Sequence, residues 1–477
     1  MIGLPMALLS EKTVTKYCLV TVGRVPPGGL DAAGRLQVKL RQSEGGLGLA
    51  SQADVAEAAY LASVVEAAPL LAAIHPSFAP LFTVTPAGLD SVGAAPAADA
   101  GGAQGQAGDQ LYGPLRQALL SASPEQRAVL RESQESPPAA GTKRCLQRLL
   151  SVPVHAELRR AFEAAIAGDL PRMAAHRSQC GWLGTAWLRA PCNIRAGTRL
   201  DSQTFTRALH LTLGLGVLEA PHMPCPGRPD GLLLTPANAF SSFLGGSVAN
   251  KNRFHYEVGC GVKTIAESMP GQVQVQTEVP DTPHTCQHER GVAPSSANSA
   301  PAGGFVMDFV VQGVASIGCT LNIDVTVSNP ASQTYAARAS KTSNYTAGKA
   351  HAAKVAKMQK FMPPTQLLLP MAFEAFGGCT TELADGRGVL ETMKKWALDK
   401  ARAVTGLREE TSTVAKRRVL QRRDLILRGW QAALSVALAR GRARIVADLL
   451  AACGRALQGP RLRRLLAGWW RRWRLTG

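Results

Sequence analysis

Phe305-Val306-Met307-Asp308-Phe309-Val310-Val311-Gln312 and, a short joint later, Thr320-Leu321-Asn322-Ile323-Asp324-Val325-Thr326-Val327 decide how this chain is read. Each is a short run of β-branched and aromatic residues, the mark of a strand. The joint at 313–319 suits a hairpin. Upstream, 272–279 alternates Val273 and Val275 with Gln272, Gln274 and Gln276, which is a third strand. Helical stretches are expected at 252–268 and about 348–361. The apolar run 366–376 reads as a buried strand ended by Gly377-Gly378, and a helix at 387–404 closes the unit. The order helix, strand, strand, strand, helix, strand, helix belongs to a small mixed α/β domain.

Asp308 and Asp324 interrupt the two apolar strands. A buried carboxylate is costly unless it is paired or holds a cation. Two of them on adjacent antiparallel strands can converge on one side of a sheet. Carboxylate oxygens suit Mg²⁺, which takes few protein ligands and completes its shell with water and phosphate. Such a site can activate water and neutralise a phosphodiester transition state. The plainer alternative puts each aspartate at a strand end, facing solvent. On the following helix Lys354, Lys357 and Lys360 recur three apart on roughly one face. One of them can hold the scissile phosphate or the attacking water, and the others are solvated or touch nucleic acid.

The fold class is α+β. Residues 1–85 read as helical, 86–110 as a Gly/Ala-rich linker without apolar periodicity, and 111–245 as a second helical region. Gly45-Gly46-Leu47-Gly48-Leu49 is a turn feeding a helix whose cap would be Ser51. It is not a phosphate loop, because no Gly-Lys-Ser/Thr follows. Ser123-Pro124-Glu125-Gln126 is a helix start with a capping Ser and a Gln three residues on. Residues 144–176 suggest two helices broken at Pro153 and Pro171, and 203–218 one more. The mixed domain covers 246–404, and a basic helical tail covers 405–477.

The chain of 477 residues carries 53 Lys+Arg against 34 Asp+Glu, a net charge of +19. From Glu391 to Gly477 there are 21 Lys and Arg against 6 acids, so most of the excess lies in the tail. That points to phosphate backbones or an anionic surface. Arg461 to Arg474 holds six Arg and three Trp at helical spacing, a basic amphipathic helix. It can dock on the protein itself, grip nucleic acid or lie on a membrane. The candidate nucleic-acid contacts are Lys354, Lys360, Arg417, Arg418, Arg422, Arg423, Arg471 and Arg472. Lys416-Arg417-Arg418 and Arg422-Arg423 also have the composition of a nuclear import signal. No run of 18 apolar residues is present, so no membrane span is expected. Nothing at the N-terminus has the form of a secretory signal. The ten cysteines contain no Cys-x-x-Cys pair, which fits a reducing compartment. The nucleus is the expected location, with the cytoplasm as second choice.

The 305–378 region resembles the restriction-enzyme-like endonuclease domain found at the C-terminus of site-specific non-LTR retrotransposon polyproteins, a branch of the PD-(D/E)xK nucleases. Asp308 and Asp324 match the two acids. Thr326 stands where the usual lysine would, so the resemblance calls for a lysine moved to the next helix, and Lys357, four residues before Phe361, matches it. It implies a metal site at Asp308 and Asp324, catalysis by Asp308, Asp324 and Lys357, Mg²⁺ as cofactor, and DNA as partner with RNA as second choice. Upstream, 45–60 resembles the segment after the polymerase thumb, and 176–188 with 205–215 the helical linker before a zinc knuckle. Downstream, Gly429-Trp430, 434–438 and Arg442-Ala443-Arg444-Ile445 resemble the helical tail of such elements.

The departures are specific. At the knuckle, Cys225-Pro226-Gly227-Arg228 keeps one cysteine, and 238–242 offers no ligand of the usual type. Zinc takes four N or S ligands, so none is expected there. The family's Arg-His-Asn reads Arg253-Phe254-His255-Tyr256, and Met307 stands where Pro precedes the first acid. No Tyr-x-Asp-Asp polymerase motif occurs, so the resemblance implies a C-terminal fragment. Three expectations follow: a nicking endonuclease, a binding remnant without catalysis, or a frame without a selected role.

Overall fold

The computed structural model describes residues 30–49, 52–74, 122–135, 146–193, 197–215, 248–270, 273–277, 308–312, 320–359, 366–381, 383, 387–406 and 412–458. The expectations for the 86–110 linker, Ser51, the knuckle at 222–242, the 313–319 joint, Lys360 and the 461–474 helix lie outside them. In chain order the helices are α1 (Ala32–Lys39), α2 (Gln52–Ile74), α3 (Pro124–Glu135), α4 (Leu146–Ala165), α5 (Leu170–Gln179), α6 (Ser202–Thr212) and α7 (Val248–Glu267). Strands β1 (Gln274–Thr277), β2 (Phe309–Gln312) and β3 (Thr320–Ser328) follow. Then come α8 (Ala336–Ala339), α9 (Tyr345–Met358), β4 (Gln366–Glu374), α10 (Val389–Thr405) and α11 (Thr413–Gln458). None of the helices described is long and apolar enough to cross a membrane.

The chain divides into two compact units. The first comprises 1–23, 38–41 and 48–164, the second 24–37, 42–47 and 165–477. In the first unit Ala58, Leu61 and Ala62 of α2 pack with Leu130 of α3 and Leu146 and Leu150 of α4. The expected cap of α3 forms as a reciprocal pair. The Gln126 amide donates to Ser123 Oγ at 3.2 Å, and the Ser123 amide donates to Gln126 Oε1 at 2.8 Å. Pro153 does not break its helix, contrary to expectation, and α4 runs through it. The carbonyl freed by the missing amide belongs to Leu149, on a side where Leu149 and Val152 are exposed and water can take over. The break falls instead ahead of Pro171, where the Asp169 carboxylate accepts the Arg172 amide at 3.0 Å and starts α5.

In the second unit α6 begins at the Asp201 cap and ends at Thr212, shorter than the expected 203–218. Its sheet has the order β1-β2-β3-β4, with the first two pairings antiparallel and β3–β4 parallel. Parallel neighbours need a crossover, here α8 and α9. Side chains alternate between faces. Phe309, Val311, Leu321, Ile323, Val325, Leu369, Met371 and Phe373 share one core with Phe254, Val258, Val262 and Ile265 of α7. On the other face Val310 and Leu368 meet Met358 of α9. Coverage of both faces explains why β3 and β4 read as nearly unbroken apolar runs.

That core ignores the boundaries expected at 246 and 404. Ala175 of α5, Leu183 of the turn after it and Leu211 of α6 enter it from upstream, and Trp430, Leu434, Leu438, Ile445 and Val446 enter it from α11. The tail's arginines conceal this apolar stripe in composition alone. Several of them serve the fold. Arg442 is fully buried, donates to Ala375 O at 2.6 Å and lies 5.2 Å over the Phe376 ring. Burial pulls its pKa down to about 9, so it stays charged at neutral pH. Arg440 and Arg444 both pair with the buried Glu257 of α7. The Gly377 ending of β4 is a genuine backbone requirement. Its φ is +111°, and a Cβ there would meet the Gly184 backbone at 2.3 Å.

Candidate functional site

Strand pairing carries the two aspartates to one place. The ladder ends with Phe309 facing Ile323, and Asp308, the residue before, bonds Ile323 and Val325, the two residues that flank Asp324. Both aspartates are buried. Asp308 sits just before β2, where its amide still donates to Ile323 O at 3.1 Å. Its side chain then takes over the ladder: Oδ2 accepts the Val325 amide at 2.6 Å, where a strand carbonyl would otherwise serve. Oδ1 lies 2.9 Å from Nε2 of His255 on α7. The solvent-facing alternative for the two acids therefore does not describe them.

Asp324 is in mid-strand and points to the α9 face, with Pro370 of β4 as its parallel neighbour. Lys354 Nζ donates to its Oδ1 at 2.9 Å, and Thr326 Oγ1 donates to Oδ2 at 3.3 Å. Asp324 is fully enclosed, while the Lys354 side chain keeps 28% of its exposure. The ammonium thus bridges a buried charge to the solvent boundary. Thr326, where the usual family lysine would stand, contributes only a hydroxyl.

The lysine on Asp324 is Lys354, which the sequence reading placed among the nucleic-acid contacts. Lys357, expected to be the catalytic lysine, is exposed one turn further on. The deciding signal was present in the sequence. Ala347, His351 and Met358 are the buried stripe of α9, and Lys354 continues it at the 4–3–4 spacing that Lys357 breaks. His351 fills the stripe beneath the strand, with Nδ1 3.2 Å from Pro370 O.

His255 was singled out only as a surviving residue of a degraded motif, and it proves to touch Asp308. Burial alone would lower its pKa, but the Asp308 hydrogen bond and charge, with Asp324 behind them, hold it above its ordinary value. The sequence reading also passed over Glu374, a third acid in an apolar strand. It is buried and accepts the Thr346 amide at 2.9 Å, Thr346 Oγ1 at 2.9 Å and the Ala347 amide at 3.4 Å. These are the first-turn donors of α9, whose own cap residue, Asn344, is left-handed and makes no side-chain cap bond. Glu374 thereby fixes the helix that carries Lys354.

Of the basic residues, Arg417, Arg418 and Arg422 are exposed on the first turns of α11. Arg423 pairs with its neighbour Asp424 at 2.7 Å. Arg471 and Arg472 lie outside the described residues. Among the described residues no group of three or more His, Cys, Asp and Glu stands together as a metal cage. No protein-family model matches the chain, and no curated protein matches it.

Proposed function

We propose that the second unit is a metal-assisted phosphodiesterase that nicks DNA, of the restriction-enzyme-like kind carried by site-specific non-LTR retrotransposons. The observation that supports this reading is Lys354 on buried Asp324, with Asp308 bonded to the residues on either side of Asp324. Two carboxylates without soft donors suit Mg²⁺, which leaves most of its shell to water and phosphate. Asp308 and Asp324 would hold it. When bound, the ion neutralises phosphate charge and acidifies a water.

The chain's own groups do the rest. The Val325 amide and His255 fix the Asp308 carboxyl in one orientation. Lys354, seated at the solvent boundary, swings from Asp324 onto a phosphate oxygen and stabilises the charge that develops there. Arg417, Arg418 and Arg422 add sequence-independent attraction for the backbone. RNA is the second candidate partner, and the nucleus the matching location.

One observation favours the binding remnant instead. Every oxygen of the two carboxylates already faces a protein group, so a closed ion-pair cluster is also a finished structural object. Supercoiled plasmid separates the two readings. The purified chain with Mg²⁺ or Mn²⁺ should nick it, while Asp308→Ala and Asp324→Ala should not. Silence from all three with DNA binding intact would leave the remnant as the function.

A further inference from the structure

No Asp or Glu occurs between Asp324 and Glu374, whereas Arg338, Lys341, Lys349, Lys354, Lys357 and Lys360 all do. The crossover between the parallel strands is thus purely cationic. Its outer side also carries the aromatic pair Tyr335 and Tyr345. Their ring centroids are 6.5 Å apart at 64°. Lys349 Nζ stands 6.0 Å and 5.9 Å from the two ring centres, and Arg338 Nη1 donates to Tyr345 Oη at 3.2 Å. Both rings are half-buried, which anchors them. Arg338, Lys341 and Lys349 are exposed.

We propose that Tyr335 and Tyr345 form a stacking platform for the bases of a single-stranded nucleic acid, with Arg338, Lys341 and Lys349 taking its phosphates. Anchored aromatic rings offer a sequence-tolerant surface to any base, because every base has a π face. Exposed cations beside them recruit the backbone and release its counterions. A tyrosine pair that merely stapled α8 to α9 would need no cluster of exposed cations on a segment that carries no acid of its own, since like charges crowd unfavourably in the free protein. A duplex fits less well, because its bases already stack on one another.

The platform is a station separate from the carboxylates. Tyr345 lies nine residues before Lys354 on α9, which is about 13 Å along the axis and half a turn around it. The inference rests on this unit handling nucleic acid, but not on its cutting any.

The test uses the full chain in EDTA and three labelled probes of equal length: oligothymidylate, an abasic strand with the same phosphates, and a duplex. Binding is read by fluorescence anisotropy. Stacking predicts that oligothymidylate binds about tenfold tighter than the abasic strand, since one stacked base is worth roughly that much. Tyr335→Leu with Tyr345→Leu should erase the gap and leave abasic binding unchanged. Phe at both positions keeps the rings and should keep the gap, which guards against a fold defect in the Leu variant. Lys349→Gln with Arg338→Gln should weaken both strands and flatten the salt dependence. Equal affinity of the parent for oligothymidylate and the abasic strand would overturn the platform. So would a gap that survives the Leu substitutions or is lost with Phe. If the duplex is bound and nicked in Mg²⁺ while no base-dependent gap exists, only this inference falls. If no probe binds at all, the proposed function falls with it.

Discussion

Asp324 and Glu374 sit on neighbouring parallel strands, both buried, and both reach α9. They meet it in opposite ways. Glu374 takes backbone amides at the helix N-terminus, donors that cannot leave without unwinding a turn. Asp324 takes one ammonium at the end of a long, partly exposed side chain. The first arrangement is permanent and the second exchangeable. A carboxylate whose partner can depart into solvent is free to change partners, as catalysis requires. A carboxylate bonded to a helix end is a fastener. Burial is alike in the two, so the mobility of the partner makes the distinction.

The sharpest way to break that comparison is to replace each acid by its amide. Asp324→Asn should cost nicking at least about a hundredfold, the usual loss when a charged group serving a transition state is removed. Glu374→Gln keeps its acceptor oxygen for Thr346 and should nick within a few-fold of the parent. Plasmid relaxation with Mg²⁺ reads both. Equal losses would mean that the fastener and the reactive group had been confused.

Stability should show the reverse order. Glu374→Met strands the Thr346 and Ala347 amides and the Thr346 hydroxyl in the interior. Orphaned buried donors cost roughly 1–3 kcal/mol each, so a loss of about 3 kcal/mol is expected. Asp324→Leu leaves an ammonium that can turn to water along its own stem, and should cost about 1 kcal/mol or less. Urea midpoints of the two variants test this, and a costlier Asp324→Leu would make the pair structural.

The acids also show what could be read beforehand. A carboxylate in an apolar alternation is an anomaly visible in a string of letters, and it exposed Asp308 and Asp324. Glu374 closes Pro370-Met371-Ala372-Phe373-Glu374 with the same anomaly, but at the end of an apolar run, where a strand's last residue can equally face solvent. Local chemistry was legible where both partners were local, as in the Ser123–Gln126 box. It failed at Pro153, where a helix long enough to absorb one lost bond overrode the breaker. Composition misled most in the tail. Its positive charge suggested a surface, yet Arg442 is buried, Arg440 and Arg444 pair with the buried Glu257, and Trp430, Leu434 and Leu438 belong to the core. Which residue a helix presents to a strand depends on how the two dock, so His255 on Asp308 could not be deduced from spacing.

The choice of lysine is a finer test of the same exchangeable contact. Lys354→Gln should lower nicking about tenfold or more, while Lys357→Gln should change it less than threefold, since only the first stands on the carboxylate. Lys354→Gln also leaves Asp324 without its countercharge, so thermal unfolding of the variant must be followed beside activity. Adding Asp324→Asn to it should restore most of any stability lost, because no buried charge then remains. Activity would stay low in the double variant. Recovery of stability without recovery of nicking is the signature of a reactive pair.

The smallest expected effect concerns what holds the fastener shut. Two forces act on the Glu374 proton. Burial raises its pKa, and the Thr346, Ser178 and Ala347 donors lower it, burial being the larger. The helix N-terminus also favours an anion. With the net shift upward, the folded chain binds the proton more tightly than the unfolded one. The resulting stability is fully present below the ordinary glutamate value of 4.5 and is lost as pH rises through the higher folded value. Glu374→Gln cannot titrate. The stability of the parent relative to this variant should therefore be greatest at acid pH and decline toward neutrality, in a window that starts near the ordinary value and extends above it. Melting temperatures of both proteins across that range give the difference directly, cancelling every other titrating group. A difference that grows with pH would mean that the amides of α9 outweigh burial, and that the carboxylate is held there as an anion.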